Sequence, residues 1–354
     1  MVRITANIDL AAIRNNLAVV RRFAPDAKIS AVVKANAYGH GVDRVVTAIY
    51  EHIDACSVAT IDEGVRLRTT GLDCPIWVFS GYINAEELDL IKRYELTPVI
   101  HNEHQLNLLR DLNKKISVII EVDTGMGRLG IHSHELDSFL KKAAVVADIK
   151  LIQSHFSESD IPNSQRTLAQ IDRFENLPLP KEYQKSLANS AGIIARNGGA
   201  YDWVRPGLIM YGVSPFSSVT GPELGLQPSM SLQSRLISIR RMKKGNTIGY
   251  HGTWECPEDM PVGFVSCGYA DGYPRNFIAE TPVIVRNQKA SIIGRISMDS
   301  FAIDLRGIPT CKIGDSVLLW GPSLPIELIA EKAGTIPNQL LTGLTDRVAK
   351  TFVS

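Results

Sequence analysis

From residue 29 to about residue 212 one unit recurs: a short apolar run of strand length, then a longer stretch with apolar residues three and four apart. The runs fall at 29–34, 55–60, 75–80, 96–100, 116–123, 149–156, 183–188 and 202–211. The longer stretches include 41–52, 61–70, 85–94, 103–115, 134–146 and 164–177. Leu88 and Ile91, then Leu106, Leu109 and Leu112, carry the helical spacing. Thr60, Asn84 and Asn102 stand just ahead of three of these stretches, where a side-chain oxygen can accept a free backbone N–H. Alternating strand and helix, with strands apolar on both faces, requires a parallel sheet covered by helices. Eight such units predict an α/β fold closed into a (β/α)8 barrel. Polar residues at the C-terminal ends of its strands are then the ones to weigh for chemistry.

After about residue 228 the pattern changes. Runs at 232–242, 261–268, 282–285, 290–296, 301–305 and 316–320 read as strands joined by turn residues, with one helix at 325–332. The chain is expected to divide near 225–228 into a barrel, residues 1–228, and a mostly β domain, residues 229–354. Its 354 residues suit two cores. A net charge of +1 creates no field toward nucleic acid or anionic lipid, which leaves a small-molecule substrate as the expected partner. The first residues lack the apolar core and cleavage site of a signal peptide, and no apolar run approaches the roughly 20 residues of a membrane helix. Five scattered cysteines without a C-x-x-C pair fit buried, reduced thiols in a cytoplasmic protein, with no disulfide framework and no zinc site.

The strand ends carry a consistent set of side chains. The first leads into Lys34-Ala-Asn-Ala-Tyr38-Gly39-His-Gly41, the fifth into Asp123-Thr-Gly-Met-Gly-Arg128, and the sixth into Ser154-His155-Phe156. The seventh leads into Asn189-Ser190 at a helix start, where free N–H groups suit phosphate, and the eighth carries Arg205-Pro-Gly207-Leu208. A lysine closing an apolar strand is either a snorkelling surface residue or an amine in a pocket. Here the loop that follows favours the pocket, since Tyr38 brings a hydroxyl and Gly39 and Gly41 allow the backbone to approach a ligand. A lysine, a histidine, two arginines, a serine and glycine-flanked amides around one rim suit an anionic, aromatic aldehyde cofactor. Gly125-Met-Gly127-Arg-Leu-Gly130 satisfies the dinucleotide pattern G-x-G-x-x-G, but it follows the fifth strand, and the next strand ends in His155 instead of an acid for a ribose. The pairs His101/His104 and His132/His134 lack a third metal ligand and read as solvated loop histidines.

Taken together, these segments resemble the alanine racemase family over nearly the whole chain. The resemblance rests on Val33-Lys34 to Gly41, Asp123 to Arg128, Ser154-His155-Phe156, Ala188-Asn-Ser190, Val204-Arg205-Pro-Gly207, Gly268-Tyr269-Ala-Asp-Gly272 and Gly294-Arg-Ile-Ser-Met298-Asp299. It implies a pyridoxal 5′-phosphate enzyme that interconverts L- and D-alanine and supplies D-alanine for cell-wall peptidoglycan. Lys34 would form the internal aldimine. Tyr38, Ser190 and the amides of Gly207 and Leu208 would hold the phosphate, with Arg205 facing the pyridine nitrogen and His155 nearby. Arg128 and Met298 would contact the cofactor oxygen and the substrate carboxylate. Tyr250 would be the second base, and in the family's homodimer Tyr250 and Met298 complete the neighbour's site.

Racemisation needs proton removal on one face of the α-carbon and delivery on the other, so Lys34 and Tyr250 should both have depressed pKa values from nearby positive charge. Two positions depart from the family. Glu121 stands where many members have a carbamylated lysine, and its carboxylate is expected to supply that charge permanently and hold Arg128. Asn338 stands where many have a tyrosine that narrows the substrate entrance, which makes serine a credible second substrate. The competing readings are a serine or broad-specificity racemase, a decarboxylase of a basic amino acid on a related barrel, and a non-catalytic cofactor-binding protein. The last would explain Lys34 but not a β domain carrying Tyr250 and Met298.

Overall fold

The computed structural model describes residues 3–112, 114–195, 199–277 and 280–354. Eight short strands, Lys28–Val32, Ala55–Val58, Ile76–Val78, Thr97–Ile100, Ser117–Asp123, Asp148–Gln153, Gln184–Ser186 and Trp203–Val204, pair in parallel around a ring. The ring is complete because Trp203–Val204 pairs with both Lys28–Val32 and Gln184–Ser186. Inside it Ala55, Trp77, Val99, Ile119, Leu151 and Trp203 form a separate buried cluster that plugs the barrel. Helices cover the outside. Thr60, Asn84 and Asn102 each cap one of them as expected, accepting the N–H of Glu63, Glu87 and Gln105.

The last strand is shorter than the apolar run over 202–211 predicts. Pro206 has no N–H to continue a ladder, and the chain turns at Gly207 into a single helical turn, Leu208–Tyr211. The Pro206 carbonyl still accepts the Val32 N–H at 2.9 Å, so the first and last strand ends stay side by side.

The second sheet is antiparallel in its main body. Met260–Val265, Pro282–Val285, Gln288–Ile293, Phe301–Asp304 and Ser316–Trp320 close on the long strand Met230–Met242, which pairs with Ser316–Trp320 near one end and Met260–Val265 near the other. The segments before residue 29 and after residue 320 hold elements that hydrophobic spacing left unassigned. Thr5–Asp9 lies in the second sheet, antiparallel to Met230–Met242 and parallel to Ala349–Val353. Asp9 then caps helix Leu10–Phe23, accepting the Ala12 N–H at 2.9 Å. Leu10, Ile13, Leu17 and Val20 bury one face of this helix. It packs against the helices Val42–Ile49 and Ser190–Ala195 and against the turn Leu208–Tyr211, filling the helical layer where the barrel closes. Among the described residues, no helix is long and apolar enough to cross a membrane.

Trp77 is 4 % exposed in the plug, its ring 4.7 Å from that of Trp203. Trp77→Ala is expected to cost about 3–5 kcal/mol of stability through lost burial and the cavity left behind, measured as a shift of the urea midpoint.

Candidate active site

The first barrel strand ends in an uncommon backbone. Ala35, Asn36, Ala37 and Tyr38 all have φ between 49° and 54°, a left-handed turn built from residues with side chains. Such residues cost about 1–2 kcal/mol each in this conformation, so the turn exists only because its surroundings fix it. Ala37 N–H donates to Val33 O at 2.8 Å and Gly39 N–H to Ala35 O at 2.9 Å. Ala35 N–H donates to Glu63 at 2.6 Å, and the Asn36 side chain accepts the Val42 N–H at 2.9 Å. Gly39 serves a different approach from the expected one. A Cβ there would sit 2.2 Å from the Leu341 carbonyl oxygen, so this glycine admits the helix Pro337–Thr342 of the β part and not a ligand.

The turn delivers Lys34 and Tyr38 into a cavity of about 1260 Å³ at the C-terminal ends of the strands. Arg128, His155, Ser190, Arg205, Gly207 and Leu208 line the same cavity, so all eight barrel residues singled out from the sequence meet there. Burial lowers the Lys34 pKa, the charge of Arg128 lowers it further, and Glu63 opposes both. The effect of burial comes first, ahead of the neighbouring charge from which the lowering was expected. Arg205 is buried beneath the cavity and donates to Ser186 Oγ and to the carbonyls of Ser154 and Leu187. Burial pulls it down to about 10, so it stays charged at neutral pH.

Across the cavity, Ser190 Oγ accepts the Gly207 N–H at 3.0 Å and the Ile209 N–H at 3.5 Å. A Cβ on residue 207 would lie 2.8 Å from the Tyr38 phenol oxygen. A phenol, a serine hydroxyl and backbone N–H groups therefore converge at one place, a donor set suited to a phosphate. Burial raises the Tyr38 phenol to about 12, so it is a proton donor there and not a phenolate.

Below these groups runs a polar layer. Glu121, Gln153 and Ser186 are register partners on consecutive strands. Glu121 does not face solvent. Gln153 Nε2 donates to it at 2.6 Å, and burial pushes its carboxyl up to about 7, against the pull of Arg205, of that hydrogen bond and of Arg128. Its charge is thus not permanent, and among the described residues no ion pair joins it to Arg128. The carboxylate is held by its strand neighbour instead. His101 is not a solvated loop residue either: it lines the cavity, its Nδ1 is buried without a partner, and Gln153 Oε1 is likewise unpartnered. Barrel register brings these side chains inward, which spacing along the chain does not show.

The glycine loop that mimics a dinucleotide motif is already filled. Asp123 accepts the N–H groups of Gly125, Met126 and Gly127 at 2.8–3.1 Å, so the chain's own carboxylate occupies that nest.

Tyr250 and Met298 do not line this cavity. Both are exposed, at 60 % and 51 %, as is Tyr269 at 40 %. Tyr269 N–H donates to Ser297 O and Ala270 N–H to Met298 O, which sets the 269 and 298 turns side by side. A Cβ on Gly249 would lie 3.3 Å from the Arg295 backbone, which brings the Tyr250 turn alongside them.

The buried groups set a pH dependence. Burial holds the His40 and His155 imidazoles neutral, down to about 4 and about 3 from 6.5, His155 being lowered further by Arg205, Arg128 and Lys34. Burial also lowers His101, so below pH 6.5 the unfolded chain takes up protons at three histidines that the folded chain takes up less readily, and stability falls as the pH falls. Glu121 acts oppositely, since between 7 and 4.5 it keeps a proton in the folded state that the unfolded chain releases. Three histidines outweigh the one carboxyl by at least one proton, so stability should fall by at least about 1.4 kcal/mol per pH unit between about pH 6 and 5. Urea unfolding across that range measures this, and an unchanged or rising midpoint would contradict it.

A rim that offers a buried amine, a phosphate-suited donor set and two arginines is matched throughout the chain by known proteins. Residues 8–215 match the sequence model for the alanine racemase N-terminal domain, and residues 229–352 that for the C-terminal domain. The alanine racemase of Coxiella burnetii (strain CbuG_Q212) is 40% identical over 358 residues, covering 98% of each chain. That of Nitrosococcus oceani is 41% identical over 352 residues, again covering 98% of both. Among solved structures, the biosynthetic alanine racemase of Pseudomonas aeruginosa superposes with a TM-score of 0.97 at 37% identity over the whole of both chains. The alanine racemase of Bartonella henselae, solved with covalently bound pyridoxal phosphate, gives 0.92 at 30% identity, also over the whole of both. With family matches on both sides of residue 228 and relatives that cover almost every residue, the chain belongs to the alanine racemase family of isomerases.

Proposed function

We propose that the chain interconverts L- and D-alanine with pyridoxal 5′-phosphate held in the barrel cavity, using Lys34 and Tyr250 as bases on opposite faces of the substrate. The observation that carries this reading is the buried Lys34 amine, shifted toward its neutral form, opposite the donors of Tyr38, Ser190 and Gly207. That donor set fits the cofactor's phosphate, with the Leu208 amide beside it. Arg205 would face the pyridine nitrogen and His155, neutral, would lie near it. When bound, the cofactor supplies the electron sink that lets an amino acid's α-proton leave.

The chain's own residues do the rest. Lys34 Nζ takes or returns the α-proton on one face, and its depressed pKa keeps part of the amine free to accept it. Tyr250 Oη serves the other face. Arg205 cannot readily give up a proton, so it does not protonate the pyridine nitrogen, which limits charge delocalisation and disfavours side reactions such as transamination. Arg128 and Met298 hold the substrate carboxylate and the cofactor oxygen.

Tyr250 and Met298 are exposed and do not line their own chain's cavity, which supports a homodimer in which residues 229–354 of one subunit complete the site held by residues 1–228 of the other. Lys34→Ala and Tyr250→Phe subunits should each be nearly inactive alone. Reassorted together, they should recover about a quarter of wild-type activity, because half the dimers are hybrid and each hybrid has one intact site. No recovery from verified hybrids would place Tyr250 in its own subunit's site, and a fully active Tyr250→Phe enzyme would place it outside the reaction. The proposed setting is the cytoplasm, with D-alanine passing to peptidoglycan synthesis.

A second reading, serine as an additional substrate, is favoured by Asn338, which lines the cavity from the β part. Chiral analysis of L-alanine and L-serine incubated separately with the holoenzyme should show fast D-alanine and slower D-serine. Asn338→Tyr should lower the serine-to-alanine ratio by about tenfold, the scale on which one added or lost polar contact and its space discriminate substrates. An unmoved ratio removes Asn338 from specificity. Absence of both D isomers removes the racemase reading itself.

A further inference from the structure

One fully buried side chain joins the left-handed turn to the β part and takes no place in the chemistry above. His40 Nδ1 lies 3.0 Å from the carbonyl oxygen of Ala37 and 2.9 Å from that of Tyr38. Both are acceptors only, so Nδ1 carries the proton and donates to them. Nε2 is then the lone-pair nitrogen, and the Ser229 hydroxyl stands 2.9 Å from it. That hydroxyl has a single proton, which it shares between Nε2 and the Tyr211 carbonyl, also at 2.9 Å, and the Asp9 N–H donates to Ser229 O at 2.8 Å. The imidazole stacks on the Tyr211 ring with centroids 4.5 Å apart, while the Tyr211 phenol donates to Val32 O at 3.0 Å. His40 therefore touches the turn on one edge and, on the other, the residues where barrel and second sheet meet.

We propose that His40 is a positioning residue for racemisation: by donating from Nδ1 to the carbonyls of Ala37 and Tyr38 it holds the left-handed turn that aims the Lys34 amine and the Tyr38 phenol. The inference rests on the roles proposed for Lys34 and Tyr38. A carbonyl pointing away from regular structure needs a donor; the Ala37 carbonyl also takes the His40 backbone N–H at 3.0 Å, whereas the donor to the Tyr38 carbonyl is the ring, packed against Tyr211.

The two nitrogens can be tested apart. His40→Asn places an amide N–H near Nδ1 and loses the link to Ser229, whereas His40→Gln reaches toward Ser229 and loses the two carbonyls. Cofactor affinity, followed by absorbance on titrating pyridoxal phosphate, and kcat with KM are the readouts. His40→Gln should weaken cofactor binding about tenfold and lower kcat about 10²-fold with little change in KM, as expected when reacting groups are misplaced by about 1 Å. His40→Asn should stay within about threefold of wild type on both, because the reacting groups remain placed. Equal effects of the two, or intact cofactor affinity in His40→Gln, would overturn the proposal. Should either variant fail to fold, nitrogen NMR of the wild-type enzyme decides: an Nδ1-protonated His40 supports the clamp and an Nε2-protonated one refutes it. Lys34→Ala is the control. If borohydride still fixes cofactor to that variant, the assignment of Lys34 has failed and not the clamp.

Discussion

A chain that must hold four consecutive side-chain-bearing residues at positive φ has committed several kcal/mol to one turn. At about 1–2 kcal/mol per residue, the strain is comparable to the whole stability of an ordinary domain. Residues 35–38 are kept there by groups from four directions. Glu63 comes from the helix Ile61–Thr69 after the second barrel strand, Asn36 bonds the chain beyond the turn, Leu341 closes over Gly39, and His40 reaches back to the carbonyls. What the turn achieves is convergence. An ordinary helix beginning at Lys34 would carry Tyr38 along one face of a cylinder, whereas the reversed hand sets the Tyr38 phenol against Gly207, just beyond the last strand. The amine and the phosphate-suited donors thereby address a single cavity.

The electrostatics of that cavity follow from the same convergence. Lys34, Arg128 and Arg205 face it together, and each lowers the proton affinity of its neighbours: Arg128 acts on Lys34, and all three act on His155. Burial amplifies this and comes first in every case. The one carboxyl in the polar layer, Glu121, is pushed up to about 7 by burial despite two arginines. Glu158, Asp160, Glu223, Glu327 and Glu331 line the same cavity, so the cationic character is local to Lys34, Arg128 and Arg205.

The two halves are less separate than their strand patterns. The chain starts in the second sheet with Thr5–Asp9, makes the barrel, and returns, so the first and last strands lie side by side. The helix Pro337–Thr342 contributes Asn338 to the cavity and a carbonyl against Gly39. The β part thus shapes its own subunit's cavity as well as carrying Tyr250 and Met298 on an exposed face. Misplacing it would disturb the turn directly.

The barrel was legible along the chain because each strand–helix unit buries its own apolar face locally, and period and capping record that burial. The cofactor-suited residues were legible for a related reason: strand ends in a barrel converge whatever lies between them, so Lys34, Arg128, His155, Ser190 and Arg205 could be placed on one rim from position alone. Elements and contacts set by partners distant in the chain were not. Thr5–Asp9 and Ala349–Val353 pair across almost the full length, and neither has a pattern that reveals its partner. His101 and Gln153 turn inward through strand register, and Glu121 is held by Gln153 instead of Arg128 because those two sit opposite each other on adjacent strands. Sequence determined which side chains stand at the strand ends. Only the tertiary structure decided the hand of the turn that aims them, since left-handed backbone in ordinary residues is stable solely through contacts made from elsewhere in the fold.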